Sequence, residues 1–394
     1  MSDAWSQPGW REATAARAAA ALREAPGRAI EALVGFDGFI DEIIRVVDHR
    51  RSMRMEDFDP IATIEAFAAR CAAAAGRSAN LELVMSEARA GGNGPLLASA
   101  LASLGMRVDF IGAIGREDGS GGLAVHPVYE SFAAGCRSAT PIAEPGLTHA
   151  LEFDDGKIML GRTAPVQVVT WERLVAMVGR ERLAAMVSSA DLLGVVNWTL
   201  VGGVQGIFEG LARDLLPTLE RTPRRMMIDI SDPAKRTDAD VRGLIGVLGE
   251  LGERLPVSLG LNLSEATRLG AVLGTRARAG EVEEFAGTLP VLAAEIRKAI
   301  GIDCVVIHPT RGAAGADAAG ERAWFLGPFT RRPVLSTGAG DHFNGGFAFA
   351  QTLGLGLGES LAAGCATSGA YVRDAASPTL DRIAGLLERL PAPE

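Results

Sequence analysis

Short apolar runs alternate with helical stretches along nearly the whole chain. Leu33 and Val34 begin a first buried strand, which Gly35 ends. Residues 190–198 (ADLLGVVNW) read as another buried strand, a third lies within RRMMIDISDPAKR, one ends at Leu261 and one spans 304–307. Runs apolar on both faces belong in a parallel sheet that is covered on both sides. Helices are predicted over 61–76, from Pro95 to Gly105, over 171–187 and 203–221, from Asn262, and over 291–300 and 359–374. A further helix follows from Phe343, Phe347, Ala350 and Leu353, which recur every three or four residues. One stretch departs from this rhythm. In THALEFDDGKIMLG (148–161), Leu151 and Phe153 alternate with polar residues, Asp155 and Gly156 make a turn, and Ile158 and Leu160 resume, which predicts a hairpin. Residues 48–60 are charged and read as a surface loop, and the alanine-rich stretch 9–24 reads as a helix within an N-terminal extension, 1–28. Alternating strands and helices give an α/β fold with a mostly parallel sheet between two helical layers.

Composition narrows the class. The chain has 394 residues, 48% of them apolar, enough for one large domain over 29–394. A net charge of −9 without a long basic run argues against nucleic acid or an anionic membrane as partner. Cys71, Cys136, Cys304 and Cys365 are scattered and read as reduced thiols, in keeping with a cytoplasmic protein. The histidines show no metal-ligand spacing, no signal peptide is expected, and no apolar run would span a bilayer.

The candidate chemistry centres on PVLSTGAGDHFNGGFAFAQT, residues 333–352. An extended approach leads to Gly338, Ala339 and Gly340, and a helix starts at Asp341. Amides converging on a helix N-terminus bind anions, phosphate above all. A carboxylate at that place fits a base that takes a hydroxyl proton while the amides hold phosphoryl charge. A plainer reading has the glycines shape a turn and Asp341 cap the helix. A second cluster, Gly91, Gly92, Asn93 and Gly94, opens the helix at Pro95. Asp37 and Asp41 follow the first strand, and a carboxylate accepting two hydroxyl hydrogen bonds grips a polyol well. Asn262 and Glu265 have capping-box spacing.

STGAGDHFNGGF is similar to the C-terminal signature of the ribokinase-like (PfkB) sugar kinases, D-T-x-G-A-G-D-x-F-x-x-G. Gly338, Ala339, Gly340, Asp341, Phe343 and Gly346 match, while Leu335 and Ser336 stand where the signature has Asp and Thr. Gly91, Gly92, Gly94, Leu104 and Gly105 resemble the family's other signature, with Leu96 in place of its later Asn. Asn262-Leu263-Ser264-Glu265 resembles its N-x-x-E motif. The likeness covers most of residues 30–390.

This resemblance implies a three-layer α/β/α sandwich with a small β lid, the lid strands inserted at about 37–47, 107–115 and 147–162. It implies an ATP-dependent sugar kinase with Asp341 as base and Gly338, Ala339 and Gly340 as anion hole. The sugar would meet Asp37, Asp41, Gly91, Gly92, Asn93 and Gly94. The nucleotide would meet Asn262, Thr310, Gly312, Gly338, Gly340 and Ala366, with Ala363 and Thr367 also beside the base. Mg2+ would sit near Glu265, held largely through water. Asp229, Asp232 and Arg236 would stand near substrate or phosphate. His308 has two readings, stacked near the base or simply packed. A homodimer through the lid is a further expectation. Two alternatives are an ADP-dependent kinase of related fold and a non-catalytic nucleotide- or sugar-binding regulator, the latter disfavoured by an intact Asp341. The absence of G-x-x-x-x-G-K-S/T disfavours a P-loop enzyme, and Gly202, Gly203 and Gly206 make a poor dinucleotide fingerprint. No obvious basic cluster marks the sugar end, which disfavours a phosphorylated acceptor.

Overall fold

A computed structural model describes residues 4–25, 27, 29–220 and 225–391 of the chain. Helix α1 (Trp10–Glu24) leads into β1 (Glu31–Phe36), then into β2 (Phe39–Arg50), β3 (Phe58–Pro60), α2 (Ile64–Ala72) and β4 (Leu83–Gly91). Next come α3 (Asn93–Ser103), β5 (Arg107–Gly112), a small ribbon of β6 (Gly115–Glu117) and β7 (Leu123–Val125), α4 (Glu130–Gly135) and β8 (Ser138–Pro141). The predicted hairpin is β9 (Gly146–Phe153) and β10 (Gly156–Arg162). The chain continues through α5 (Trp171–Val178), α6 (Arg180–Ser189), β11 (Leu192–Val196), α7 (Val204–Glu209), β12 (Arg225–Asp229), α8 (Asp238–Gly252), β13 (Val257–Leu261) and α9 (Leu263–Leu273). It ends with α10 (Phe285–Ile300), β14 (Cys304–Ile307), β15 (Gly312–Asp317), β16 (Arg322–Leu326), α11 (Ala339–Thr352), α12 (Leu357–Asp374) and α13 (Leu380–Glu388).

Nine strands form the central sheet in the order β16-β15-β14-β13-β12-β11-β1-β5-β8. The strands from β14 to β8 run parallel, and β15 and β16 add an antiparallel edge. β11, β13 and β14 are buried at every residue, as both-face burial demands. One core cluster lies between the sheet and α5–α10, the other between the sheet and α1, α3, α11, α12 and α13. Three layers result, an α/β/α sandwich.

A second sheet of five strands forms the lid: β10 pairs β9, β9 pairs β2, and β2 also pairs β3 and β4. Its outer face is covered by α2, with Ile44, Val46, Leu151 and Phe153 packed against Ile64 and Phe67. The expected lid strands at 37–47 and 147–162 are there. The one at 107–115 is a correction. β5 is buried from Val108 to Gly112 and pairs in parallel with β1, inside the central sheet. Residues 48–60 also differ from the expected loop, because β2 runs to Arg50 and β3 folds back on it.

The N-terminal helix is no appendage. Ala15, Ala18, Ala19 and Leu22 are buried in the core, and Arg17 and Arg23 pair with Glu359 and Glu388 on α12 and α13. Residues 1–3, 26 and 28 of the predicted extension lie outside the described residues. The predicted helix 171–187 is broken at Gly179 (φ 86°), and that at 203–221 shortens to α7 followed by looser turns to Thr218. Its last residue lies outside the described ones. All four cysteines are free. Among the described residues no helix is long and apolar enough to cross a membrane.

Helix α11 is buried from Asp341 to Ala350 and packs tightly on α12. A Cβ on Gly346 would lie 2.1 Å from Thr367 Oγ1 and 2.9 Å from the Ala363 carbonyl oxygen. Gly346→Ala must therefore push the two helices apart. We expect it to cost about 1–3 kcal/mol, the usual range for overpacking, read as a lower denaturation midpoint with an unchanged m-value. Wild-type stability would show that the helices separate freely.

Candidate active site

The site stands at the C-terminal ends of the central strands, where α11 begins, beneath the lid. β1 ends and the chain turns through Asp37, which is completely buried. Its Oδ2 accepts hydrogen bonds from the Asn93 amide (2.9 Å) and from Asn197 Nδ2 (2.7 Å), and its Oδ1 accepts from the Gly94 amide (2.6 Å). Burial pushes this carboxyl up to about 6, against those three bonds. Asp37 is thus a correction to its expected contact with substrate: it is fully buried, lines neither cavity, and binds the glycine turn and Asn197.

The turn presents Asn93. Its Nδ2 donates to Asp341 Oδ1 (2.9 Å), and its Oδ1 accepts from Ser231 Oγ (3.4 Å). Asp341 lies in the first turn of α11 and is 6% exposed. Burial raises its pKa well above the ordinary carboxylate value, the Asp229 charge adds to this, and the Asn93 bond opposes it. Gly338 caps the helix from the left-handed region (φ 88°), and no side chain caps the first turn. The Ala339 amide is used by the Ser336 carbonyl (3.2 Å), so the open donors of this N-terminus begin at Gly340.

Leu335 supplies none of the side-chain bonding of the signature's Asp. The loop is held instead by Val372, whose carbonyl accepts from the Val334 amide (2.7 Å), and by Tyr371, whose hydroxyl donates to the Thr337 carbonyl (2.8 Å). His342 stacks on Tyr371 with ring centroids 3.6 Å apart. Its Nδ1 lies 2.8 Å from the Gly338 carbonyl and its Nε2 2.9 Å from Ser377 Oγ. Burial lowers this imidazole to about 4, so it is neutral, with the Nδ1 proton directed at Gly338. Neither His342 nor Tyr371 was singled out from the sequence, since a lone histidine in a helix gives no spacing signal.

Two cavities meet at this loop. The wider, of about 590 Å3, is lined by Asn93, Asp229, Asp232, Lys235, Asn262, Glu265, Thr310, Gly312, Ala339, Gly340 and Asp341, with Phe329 and Gly369 farther out. The narrower lies under the lid between Asp41, Arg89, Gly91, Leu96, Glu152, Lys157, Thr337 and Tyr371. Strand register explains the lid's contribution. Asp41 pairs with Thr148, and Glu152 pairs with Lys157, so Asp41, Thr148, Ala150, Glu152, Lys157 and Met159 share one face. Burial raises the Asp41 pKa, while the Thr148 hydroxyl and the charges of Lys157 and Arg89 oppose the shift.

Gly91 and Asn93 reach cavities, whereas Gly92 and Gly94 serve the turn. Ala366 is a second correction, together with Ala363 and Thr367. These three are fully buried and line neither cavity, and Ala363 and Thr367 stand against Gly346 of α11. The α12 residues that line the wide cavity are Cys365, Ser368, Gly369 and Val372. Arg236 is a third departure: its guanidinium lies 4.7 Å over the Trp198 ring and donates to the Trp198 carbonyl (3.0 Å), away from the cavity. His308 lies 4.8 Å from Phe343 and also lines the wide cavity. Thr310 and Gly312 line the wide cavity, Gly312 at the start of β15.

Asn262 and Glu265 form the expected capping box, with bonds of 3.0 and 2.8 Å. Glu265 is 3% exposed, and burial first and Asp229 second push its carboxyl up to about 9. Asp229 accepts from Asn344 Nδ2 (2.8 Å) and from the Ser231 amide (2.8 Å), and burial raises it too. This donor set is all oxygen, which suits Mg2+. Among the described residues no three carboxylate, histidine or cysteine groups form a ready metal cage. Glu265 and Asp229 would hold a largely hydrated ion, completed by a phosphate ligand.

A family model described as prokaryotic ketohexokinase matches residues 10–390. The chain belongs to the prokaryotic ketohexokinase family. A ketohexokinase of Haloferax volcanii is 30% identical over 375 residues, 94% of this chain and 95% of that protein. Ribokinase from Cryptococcus neoformans in complex with ADP has a TM-score of 0.58 at 20% identity, covering 92% of this chain and all of that one. A phosphofructokinase-2 mutant from Escherichia coli gives 0.60 at 17% identity, over 92% and 99%. The fold is therefore that of the ribokinase-like kinases. This member of the ketohexokinase family is a carbohydrate kinase, a phosphotransferase with an alcohol group as acceptor.

Glu265 makes a pH prediction for this kinase. Its pKa is raised on folding, so the folded state keeps a proton that the unfolded chain gives up. Its stabilising share is full below about 4.5 and is lost as pH rises toward about 9. Without divalent cation, the melting temperature should fall across that window in wild type and fall less in Glu265→Gln. Parallel profiles for the two proteins would contradict the raised pKa.

Proposed function

We propose that this chain is an ATP-dependent ketohexokinase, which transfers the γ-phosphoryl group to a hydroxyl of a ketohexose such as fructose. The observation that carries the reading is Asp341, buried at the start of α11 against the wider cavity and fixed through Asn93. One carboxylate oxygen is held by Asn93, and the other is the one to receive a proton. The acceptor would lie in the narrower cavity with its hydroxyls on Asp41, and the triphosphate would extend through the wider one. Asp341 takes the hydroxyl proton as the acceptor oxygen bonds to the γ-phosphorus. The bond from phosphorus to the bridging oxygen breaks, and ADP leaves. The Gly340 amide and the α11 dipole favour the phosphoryl charge. When bound, Mg2+ neutralises phosphate charge, and Glu265 and Asp229 are the residues that would hold it. Positioning and charge stabilisation of this kind supply most of what phosphoryl transfer requires.

Charge in the lid cavity supports an uncharged acceptor. Arg89 and Lys157 bring two positive charges there, and Asp41 and Glu152 bring two negative ones. The expected lack of a basic cluster is therefore not literal, but the balance leaves no net attraction for a sugar phosphate. A homodimer through the lid belongs to the same reading, with Leu83, Met85 and Leu160 exposed along that sheet.

The test is release of ADP from ATP, or of AMP from ADP, in the presence of Mg2+ over a panel of fructose, ribose, glucose and nucleosides. Preference for fructose and ATP is expected, and a protein idle on every ketose would sink the proposal. Asp341→Asn should lower kcat by about 10²–10⁴-fold, the usual worth of a positioned base, with ATP binding intact. Turnover near wild type would remove Asp341 from this role.

Asp41→Ala leaves acceptor hydroxyls without a partner, at about 1–3 kcal/mol. The fructose KM should rise roughly ten- to a hundredfold, since ~1.4 kcal/mol is tenfold, with ATP affinity nearly unchanged. Calorimetry showing weaker ATP and unchanged sugar would mean that Asp41 faces the wrong substrate.

A further inference from the structure

Only three of the 39 basic residues are lysines, and one of them stands in the lid over the reacting region. Lys157 follows the Asp155–Gly156 turn of the β9–β10 hairpin, on the lid face that carries Asp41. Its ammonium meets Thr337 Oγ1, so the tip of the lid touches the loop that opens α11. Among the described residues Lys157 makes no ion pair, whereas Arg89, the other cation of that cavity, is tied to Glu87 (2.6 Å). An ammonium carries three donors, and Thr337 uses one. A compact charge on a flexible four-carbon stem can follow a moving group, which a planar guanidinium does less well.

We propose that Lys157 is a phosphoryl-stabilising cation delivered by the lid. The proposal rests on the phosphotransfer reading above. As the acceptor oxygen bonds to phosphorus and the bridging oxygen departs, charge spreads over the three peripheral phosphoryl oxygens. The α11 amides from Gly340 onward face that group from one side, and the Lys157 ammonium, held on Thr337 of the same loop, faces it from the lid. Asp341 receives the hydroxyl proton, so Lys157 neither gains nor loses one.

Lys157→Met and Lys157→Arg separate this role from plain sugar binding. With D-fructose and ATP, the Met variant should lose about 10²-fold in kcat, the usual worth of one preorganised charge donor. Its fructose and ATP KM values should stay within about threefold of wild type, and the Arg variant should recover part of the lost rate. Binding of ADP with aluminium fluoride, a mimic of the transferring phosphoryl group, should weaken at least about tenfold in the Met variant, with ADP alone unchanged. Unchanged kcat, a loss confined to fructose KM, or wild-type affinity of the Met variant for the fluoride complex would each overturn the proposal. The fluoride measurement requires no acceptor. If wild type is idle on fructose, the ketose reading fails while Lys157 is still judged.

Discussion

The arrangement depends on a buried carboxylate that lines neither cavity. Asp37 is fully buried and binds two consecutive turn amides and Asn197. Each of these donors, left unpaired, would cost about 1–3 kcal/mol, so the turn has one low-energy path. That path aims Asn93 at Asp341, across 248 positions of sequence. A group at the end of β1 and a group at the start of α11 are thereby fixed to each other through a glycine turn. Asn197, at the end of β11, ties a third strand end to the same point.

Burying several carboxylates together sets the electrostatics. Asp229, Glu265 and Asp341 are each held above their usual range, by burial first in every case. Without compensating charge such a cluster is unfavourable, and it holds protons instead. A divalent ion and a lid ammonium are the kinds of charge that would relieve it. The site is then poised to order itself around its substrates, and this favours chemistry over idle opening.

Much of this was legible in the sequence, and the part that was not has physical causes. The Gly338–Asp341 motif, the capping box of Asn262 and Glu265, and the β9–β10 hairpin are local, so short-range pattern was enough. β5 was assigned to the lid by the resemblance alone, and the pairing with β1 that buries it in the central sheet is long-range. Ala366 misled because the helix is right but this residue is fully buried in the core, while Cys365, Ser368, Gly369 and Val372 line the cavity. Asp37 looked like Asp41, and only the fold shows that one carboxylate meets amides and the other a cavity. Lys157, Tyr371 and His342 come to the loop from distant segments or without any spacing signal, so no motif marks them.

The central claim is that Asp341 is a base whose burial lifts its pKa. The pH dependence of kcat/KM for the acceptor measures this most directly, because its acid limb reports an essential base before the acceptor binds. The account predicts a rate that falls on acidification with an apparent pKa clearly above the ordinary value of about 3.9 for Asp, shared with Asp229 because the two interact. A rate that stays level down to pH 4 would contradict it.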